Sequence, residues 1–383
     1  MRKAIVLIFL VILSGCQRQK KPQLPVGEVS PIDRVSIDHA TGFSIEVHSP
    51  DLTVIRVNAP WPQAEKGFSY ALVNRHAMGQ VTLPRDAYDA IVPVPVQKMV
   101  VTSTTHIAAL EALEALEVLT GFPNTDYISS QKARALIKQG HIVDLGSNES
   151  LNTEKTLELA PEVVMGFGIG GNTKAYETLQ RAQIPVVYNG DWVEHSPLGK
   201  AEWIKFFAPF FKKEAMAKTL FSHVETAYGQ AKGKAQMAKE RPTVLTGGLF
   251  KDVWYVAGGN SWMARFLSDA GAQYLWADNQ DTGGVALSLE SVLAKAREAD
   301  VWLNPSMHVS YQELADTNPH YTQFKAYKTQ KIHTNSLAKG ETGGLLFYEQ
   351  APLRPDWVLQ DLIHILHPDL LPDHQPVFFK PLE

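Results

Sequence analysis

Hydrophobic and polar positions change their period twice along the chain. Between residues 31 and 96, apolar and polar residues alternate in short runs such as Phe43–Val47 and Leu52–Val57, which is the two-residue period of β-strands. From residue 97 to 197, short apolar runs alternate with segments whose apolar residues recur every three or four positions. This second pattern predicts parallel strands with helices on both faces of a sheet. We therefore predict a β-rich segment over residues 31–96 and an α/β lobe over residues 97–197.

The strands of this lobe are short and of the buried type, and each helix follows a strand. Gly121 is predicted to end the first helix, because glycine tolerates the positive φ of a helix terminus. The predicted strands are Met99–Val101, Ile142–Leu145, Val163–Met165 and Val186–Tyr188, and the predicted helices are His106–Leu119, 129–139, 153–160 and 172–183.

The pattern then becomes helical and afterwards repeats. Residues 198–238 predict one or two long helices interrupted near Pro209. Residues 239–383 return to alternating strands and helices. Leu151–Glu154 and Leu287–Glu290 share a pattern, a polar helix cap followed by an acidic residue in the first helical turn. The predicted fold class is α/β: two Rossmann-like lobes joined by a long α-helix, with an N-terminal β-rich extension.

The first sixteen residues form a leader that ends in the only cysteine of the chain. Two basic residues precede the apolar run Ala4–Leu13, which as a helix spans about 15 Å, half of a bilayer core, and so fits a secretory signal. Leu13–Cys16 resembles a bacterial lipobox. We expect residues 1–15 to be a signal peptide, Cys16 to carry lipid and residues 16–30 to be a tether in the bacterial cell envelope. The alternative is an ordinary cleaved signal with an incidental cysteine.

Composition excludes several classes of protein. The chain has 383 residues, with 36 Lys and Arg against 40 Asp and Glu, so it lacks the basic charge that nucleic acid requires. One cysteine excludes a disulfide framework and a multi-thiolate metal site. The sequence contains no H-E-x-x-H, G-x-S-x-G or P-loop pattern, so no catalytic motif supports the interpretation as an enzyme. No enzymatic activity, cofactor or metal site is predicted.

A series of motifs over residues 97–370 resembles the substrate-binding proteins of ABC importers for iron–siderophore complexes, haem and cobalamin. The resemblance implies a monomer whose two lobes clasp one ligand in a cleft, joined by a rigid helix that permits little relative motion, and an ABC permease as partner. The motifs that carry it are Val100–His106, Glu111–Leu116, Asp144–Gly146, Asn152–Val164, Gly258–Ser261 and Arg354–Ile363.

Candidate ligand-binding residues follow from the position of the strand ends. In open parallel sheets, ligands bind outside the carboxyl ends of the strands. The residues expected there are rich in rings, which stack on a large planar chelate while a few polar groups orient it. They are Thr105, His106, Phe167, Trp192, Phe250, Trp254, Tyr255, His308, Tyr348 and Arg354.

Several of these residues have a structural alternative. Trp254 fits a strand in the core as well as a cleft wall, and His106 fits a helix cap. Arg354 fits an ion pair with Asp356 as well as an anionic chelate. The glycine-rich run Gly166–Asn172 resembles a dinucleotide fingerprint only weakly, so we interpret it as close backbone approach or tight packing.

The predicted function is capture of an iron complex, a ferric siderophore or haem, for an importer. One alternative keeps the fold and changes the ligand to cobalamin or a bare metal ion. Others are a cell-envelope hydrolase that uses the cleft, and a sensor or adhesion module. Importer proteins of this family commonly dock through a glutamate in each lobe. Here the nearest acids to the expected helix starts are Glu177 and Asp269, and neither matches the pattern.

Overall fold

The computed structural model describes residues 31–81, 83, 87–168 and 174–383. Its first unit is a five-stranded sheet in sequential order, with one parallel pair at the end. One face of this sheet shares a core with the helices that follow, where Phe43 packs 4.6 Å from Trp203 between ring centroids. The strands are β1 (Asp33–Arg34), β2 (Phe43–Ser49), β3 (Leu52–Val57), β4 (Phe68–Asn74) and β5 (Ala90–Val94).

The first lobe is a five-stranded, all-parallel sheet covered by helices. Counted within the lobe, its strand order is 3-2-1-4-5, the Rossmann arrangement. Its elements are β6 (Met99–Val101), α1 (Thr104–Ala112), β7 (Leu119–Phe122), α2 (Gln131–Lys138), β8 (Val143–Asp144), α3 (Thr153–Leu159), β9 (Val163–Phe167), α4 (Lys174–Arg181) and β10 (Val186–Asn189).

One predicted helix of this lobe was too long. Helix α1 ends at Ala112, and Glu114 takes a positive φ of 50° that breaks the helical path. Gly121 therefore does not end a helix but lies inside strand β7. A Cβ on Gly121 would stand 2.8 Å from Leu145 and Leu159, so the glycine permits close packing of the strand.

Three helices connect the lobes: α5 (Pro197–Glu202), α6 (Ile204–Phe211) and α7 (Glu214–Ala235). The break lies at Lys212, with a φ of 57°, and Pro209 sits inside α6. Helix α7 has 22 residues and a length of about 33 Å. Its first half packs Phe221 and Val224 into the first core, and its second half packs Tyr228 into the second core. One helix is thus part of both lobes.

The second lobe has a mostly parallel sheet and a separate three-stranded antiparallel sheet. Its main strand order is 2-1-3-4-5, so the two lobes share their class and differ in topology. The predicted fold class is confirmed. The elements are β11 (Thr243–Thr246), β12 (Gly248–Phe250), β13 (Val253–Ala257), α8 (Trp262–Asp269), β14 (Gln273–Tyr274), β15 (Gly284–Leu287), α9 (Leu289–Ala296), β16 (Val301–Leu303), α10 (Tyr311–Thr317), α11 (Lys325–Lys328), β17 (Ile332–Thr334), α12 (Leu346–Gln350), α13 (Pro355–Leu366) and β18 (Lys380–Pro381).

The predicted leader and tether, residues 1–30, and the lipidation site Cys16 lie outside the described residues. Within the described ranges, no helix combines the length and the apolar character that a bilayer crossing requires.

Candidate functional site

A cleft between the lobes contains two chambers, here named the outer and the inner chamber, and Tyr348 lines both. The outer chamber has a volume of about 380 Å³ and both lobes line it. Its first-lobe wall follows the carboxyl ends of strands β6, β7, β8 and β9, where parallel sheets place their ligands. The lining comprises Thr102, Ser103, Thr104, Phe122, Pro123, Tyr127, Asn148 and Phe167 from the first lobe and Met307, Gly343, Gly344, Leu345 and Tyr348 from the second.

The outer chamber presents three large apolar side chains to solvent. Tyr127 is 61% exposed, Met307 63% and Tyr348 59%, although residues of this size are usually covered. They lie on opposite lobes and face one cavity. Exposed apolar groups that converge on a concave surface are typical of ligand sites.

The inner chamber is smaller, about 160 Å³, and aromatic. Four rings line it together with one basic and one acidic residue, so it is an apolar compartment with two charges at its wall. The lining is Thr105, Asp191, Trp192, Lys200, Trp262, Phe347, Tyr348 and Pro352.

Lys200 is the buried cation of the inner chamber. Its Nζ donates to the carbonyl oxygens of Asp191 and Trp192, both at 3.0 Å, and lies 5.2 Å from the ring centroid of Trp262. Burial lowers the pKa of this ammonium group, and the charges of Asp191 and Glu194 oppose that shift. The two hydrogen bonds fix the loop that carries Trp192 into the chamber.

A second set of contacts joins the two lobes through the segment 342–349. The backbone N–H of Ser129, in the first lobe, donates to Glu349 Oε2 at 2.6 Å, and the hydroxyl of Ser129 donates to the carbonyl of Gly344 at 2.9 Å. Thr342 donates its hydroxyl to the carbonyl of Asp126 at 2.7 Å. The lobes are therefore linked twice, by helix α7 and by this segment.

Four predicted ligand residues line the chambers. Phe167 lies in the outer chamber, Thr105 and Trp192 in the inner one, and Tyr348 in both. Each follows a strand end or lies on the segment that crosses between the lobes.

Two predicted ligand residues are buried in the lobe cores instead. His106 is fully buried against Phe207, because it points from α1 into the lobe while Thr105 points to the cleft, and burial lowers its pKa to about 4. Trp254 is also fully buried, stacked 5.4 Å from Trp302. It lies on an antiparallel strand whose alternate residues point inward, so the core interpretation applies.

The other four predicted residues do not line either chamber. Phe250 and Tyr255 are 65% and 45% exposed on the outer face of the three-stranded sheet. His308 is half-buried next to the ring of Tyr321. Arg354 forms a two-pronged ion pair with Asp356, at 2.9 and 2.6 Å, and stacks on Trp357.

Sequence reasoning missed Tyr127 and Met307. Tyr127 follows strand β7, which the predicted helix over 106–119 concealed, so the rule of strand ends was not applied there. Met307 is the immediate neighbour of the predicted His308, and the flexible thioether, not the imidazole, faces the chamber.

The remaining predicted features have mixed outcomes. In the glycine-rich run, Gly166 packs under Tyr176, and residues 169–173 lie outside the described ranges.

Asp269 is buried and accepts a hydrogen bond from the hydroxyl of Tyr228 at 2.7 Å, so it is not available at the surface, whereas Glu177 is exposed in the first described turn of α4. Within the described part of the chain, no three His, Cys, Asp or Glu side chains converge as a metal site would need.

Comparison with known proteins places the chain in a family. A family model described as periplasmic binding protein matches residues 99–335. An uncharacterised lipoprotein of Methanocaldococcus jannaschii is 28% identical over 298 residues, 76% of this chain and 69% of that protein.

Two solved structures of similar fold carry functional descriptions. A periplasmic haem-binding protein from Pseudomonas aeruginosa has a TM-score of 0.55 at 18% identity, covering 75% of this chain and 98% of that one. An ABC-type Fe3+-hydroxamate transport protein from Saccharomonospora viridis has a TM-score of 0.51 at 18% identity, covering 70% and 92%. The family match spans more than half of this chain, and the overall fold is similar to that of these structures. The protein therefore belongs to the periplasmic binding protein family, a family of solute-binding proteins.

Proposed function

We propose that this protein captures an iron complex, a ferric siderophore or haem, between its lobes and delivers it to an ABC permease. The observation that carries the proposal is the pair of chambers in the cleft, each of which is lined by aromatic rings from both lobes. A large, flat chelate gains most from such walls, because stacked rings bury wide apolar faces. The fold shared with haem and ferric hydroxamate proteins supports the same class of ligand.

The ligand class can be tested by titrating the purified protein with haemin, a ferric hydroxamate and cobalamin. Trp192 and Trp262 line the inner chamber, so a light-absorbing ligand should quench their fluorescence. We expect saturable one-to-one binding of haemin or the hydroxamate. Binding of cobalamin alone would replace the proposed ligand, and absence of saturable binding to all three would overturn the proposal. Turnover of envelope glycans or esters would instead support the hydrolase alternative.

Substitution of Tyr348 by alanine is expected to weaken binding of the iron complex at least tenfold. Its ring lines both chambers and is 59% exposed, so its loss removes ligand contacts with little effect on the core. The dissociation constant from the same fluorescence titration measures the effect. Met237→Ala is the matched control, since Met237 is 66% exposed and lines neither chamber. Equal affinities in the two variants would remove Tyr348 from the site.

We also propose that a lipid on Cys16 anchors the protein in the cell envelope, as the lipobox predicts. The Cys16→Ser variant is expected to leave the membrane fraction and to lose labelling by a clickable fatty acid. A variant that stays in the membrane fraction, or a wild-type protein that takes up no label, would contradict the anchor.

A further inference from the structure

One loop of the N-terminal sheet, residues 58–67 between strands β3 and β4, packs against the ends of strands β9 and β10 in the first lobe. Most of this loop is exposed, but Pro60 is buried and Trp61 is half-buried. The ring of Trp61 stands edge-on to Tyr188, with 5.2 Å between centroids, and packs 5.6 Å from Phe68. The loop therefore belongs to the packing of the first lobe.

Two residues of this loop, Trp61 and Pro60, lie directly against two glycines of the first lobe. A Cβ on Gly168 would lie 2.3 Å from Cε3 of Trp61, and a Cβ on Gly190 would lie 3.0 Å from Cα of Pro60. The distance at Gly168 is too short for any other residue unless Trp61 moves, and at Gly190 a side chain would require Pro60 to shift by a few tenths of an ångström. Gly168 and Gly190 immediately follow strands β9 and β10.

The residues adjoining these glycines are ligand-cleft residues. Phe167 precedes Gly168 and lines the outer chamber, and Trp192 follows Gly190 by two positions and lines the inner one. Trp61 and Pro60 lie against the backbone of these two strand ends. A movement of the loop would therefore shift the side chains of Phe167 and Trp192.

We propose that Trp61 and Pro60 are positioning residues of the ligand cleft, through which the N-terminal sheet sets the placement of Phe167 and Trp192. The predicted effect on ligand affinity rests on the proposed function. The predicted effect on the strand ends rests only on the packing of Trp61 and Pro60. The positioning role gives the N-terminal sheet a role in binding beyond attachment to the first lobe.

The test compares Trp61→Ala with Leu52→Ala in the full chain. Leu52 is buried on the opposite face of the same sheet, in the small cluster with Val54 and Val73, so its truncation weakens the sheet without touching the cleft. In Trp61→Ala we expect amide hydrogen exchange to rise at least tenfold in peptides covering 163–168 and 186–193, and the dissociation constant for haemin or a ferric hydroxamate to rise at least tenfold. Leu52→Ala should change neither, and Trp61→Phe should restore both.

A second variant distinguishes loss of the contact between Trp61 and Gly168 from general misfolding of Trp61→Ala. Gly168→Ala should displace Trp61 and reproduce its effects, and it should add little in a Trp61→Ala background, because the two changes break one contact. Exchange and affinity in Trp61→Ala that match Leu52→Ala would overturn the proposal. If neither probe binds the wild-type protein, the proposed function fails, and the exchange measurement still decides the positioning role.

Discussion

Trp254→Ala is expected to lower the free energy of unfolding by about 3–5 kcal/mol. The side chain is fully buried, stacks on Trp302 and meets the rings of Tyr321 and Phe324 within 6 Å. Its Nε1 also donates to the carbonyl of Thr246 at 3.0 Å, so truncation leaves both a cavity and an unpaired acceptor. Denaturant unfolding measures the loss.

The neighbouring residue supplies the control for this prediction. Tyr255 lies on the same strand and points outward, 45% exposed, so Tyr255→Ala should change the free energy of unfolding by less than about 0.5 kcal/mol. Similar losses in the two variants would show that the inward and outward faces of β13 are assigned wrongly.

Glu349→Gln is expected to remove a pH dependence of stability worth about 3 kcal/mol. Burial, together with the charge of Glu111, raises the pKa of this carboxyl group from 4.5 to about 7, although the N–H groups of Ser129 and Ser130 oppose the shift. A carboxyl group with a raised pKa binds its proton more tightly in the folded protein. Its contribution is therefore complete below pH 4.5 and is lost as the pH rises through 7.

The measurement is the free energy of unfolding of both proteins from pH 4.5 to pH 8. The stability of the Gln variant relative to wild type should increase by about 3 kcal/mol over this range. The comparison cancels the buried histidines His106 and His333, whose lowered pKa values act in the opposite direction in both proteins.

Glu341 provides a matched acid at the same inter-lobe contact. It is exposed and pairs with Lys138 at 2.7 Å, which lowers its pKa, so Glu341→Gln should give a small change of opposite sign. Parallel stability curves for wild type and Glu349→Gln would show that the Glu349 carboxyl group has its ordinary pKa.

The sequence predicted those features that depend on local pattern. Asn152 and Ser288 cap helices α3 and α9 as the cap-and-acid pattern indicates, because a cap is decided by residues three positions apart. The rule of strand ends also found Phe167 and Trp192, since it needs only the position of a parallel strand.

The rest depended on packing that no local pattern contains. Leu116 and Leu119 continue the apolar spacing of a helix, yet the chain turns at Glu114 and gives Leu119 to a buried strand. Trp254 was expected at a strand end because the antiparallel sheet inserted in the second lobe has no counterpart in the first. The first-lobe residues that line a chamber together with Tyr348 depend on the relative orientation of the two lobes, which no local pattern specifies.

Helix α7 has a consequence for how this protein can change. An α-helix advances 1.5 Å and turns about 100° with each residue. A residue inserted between Val224, in the first core, and Tyr228, in the second, would rotate one core relative to the other by that angle and part the chamber walls. Insertions and deletions are therefore tolerable in the surface loops but not in this helix. The number of residues between its contacts with the two cores determines the relative orientation of the lobes.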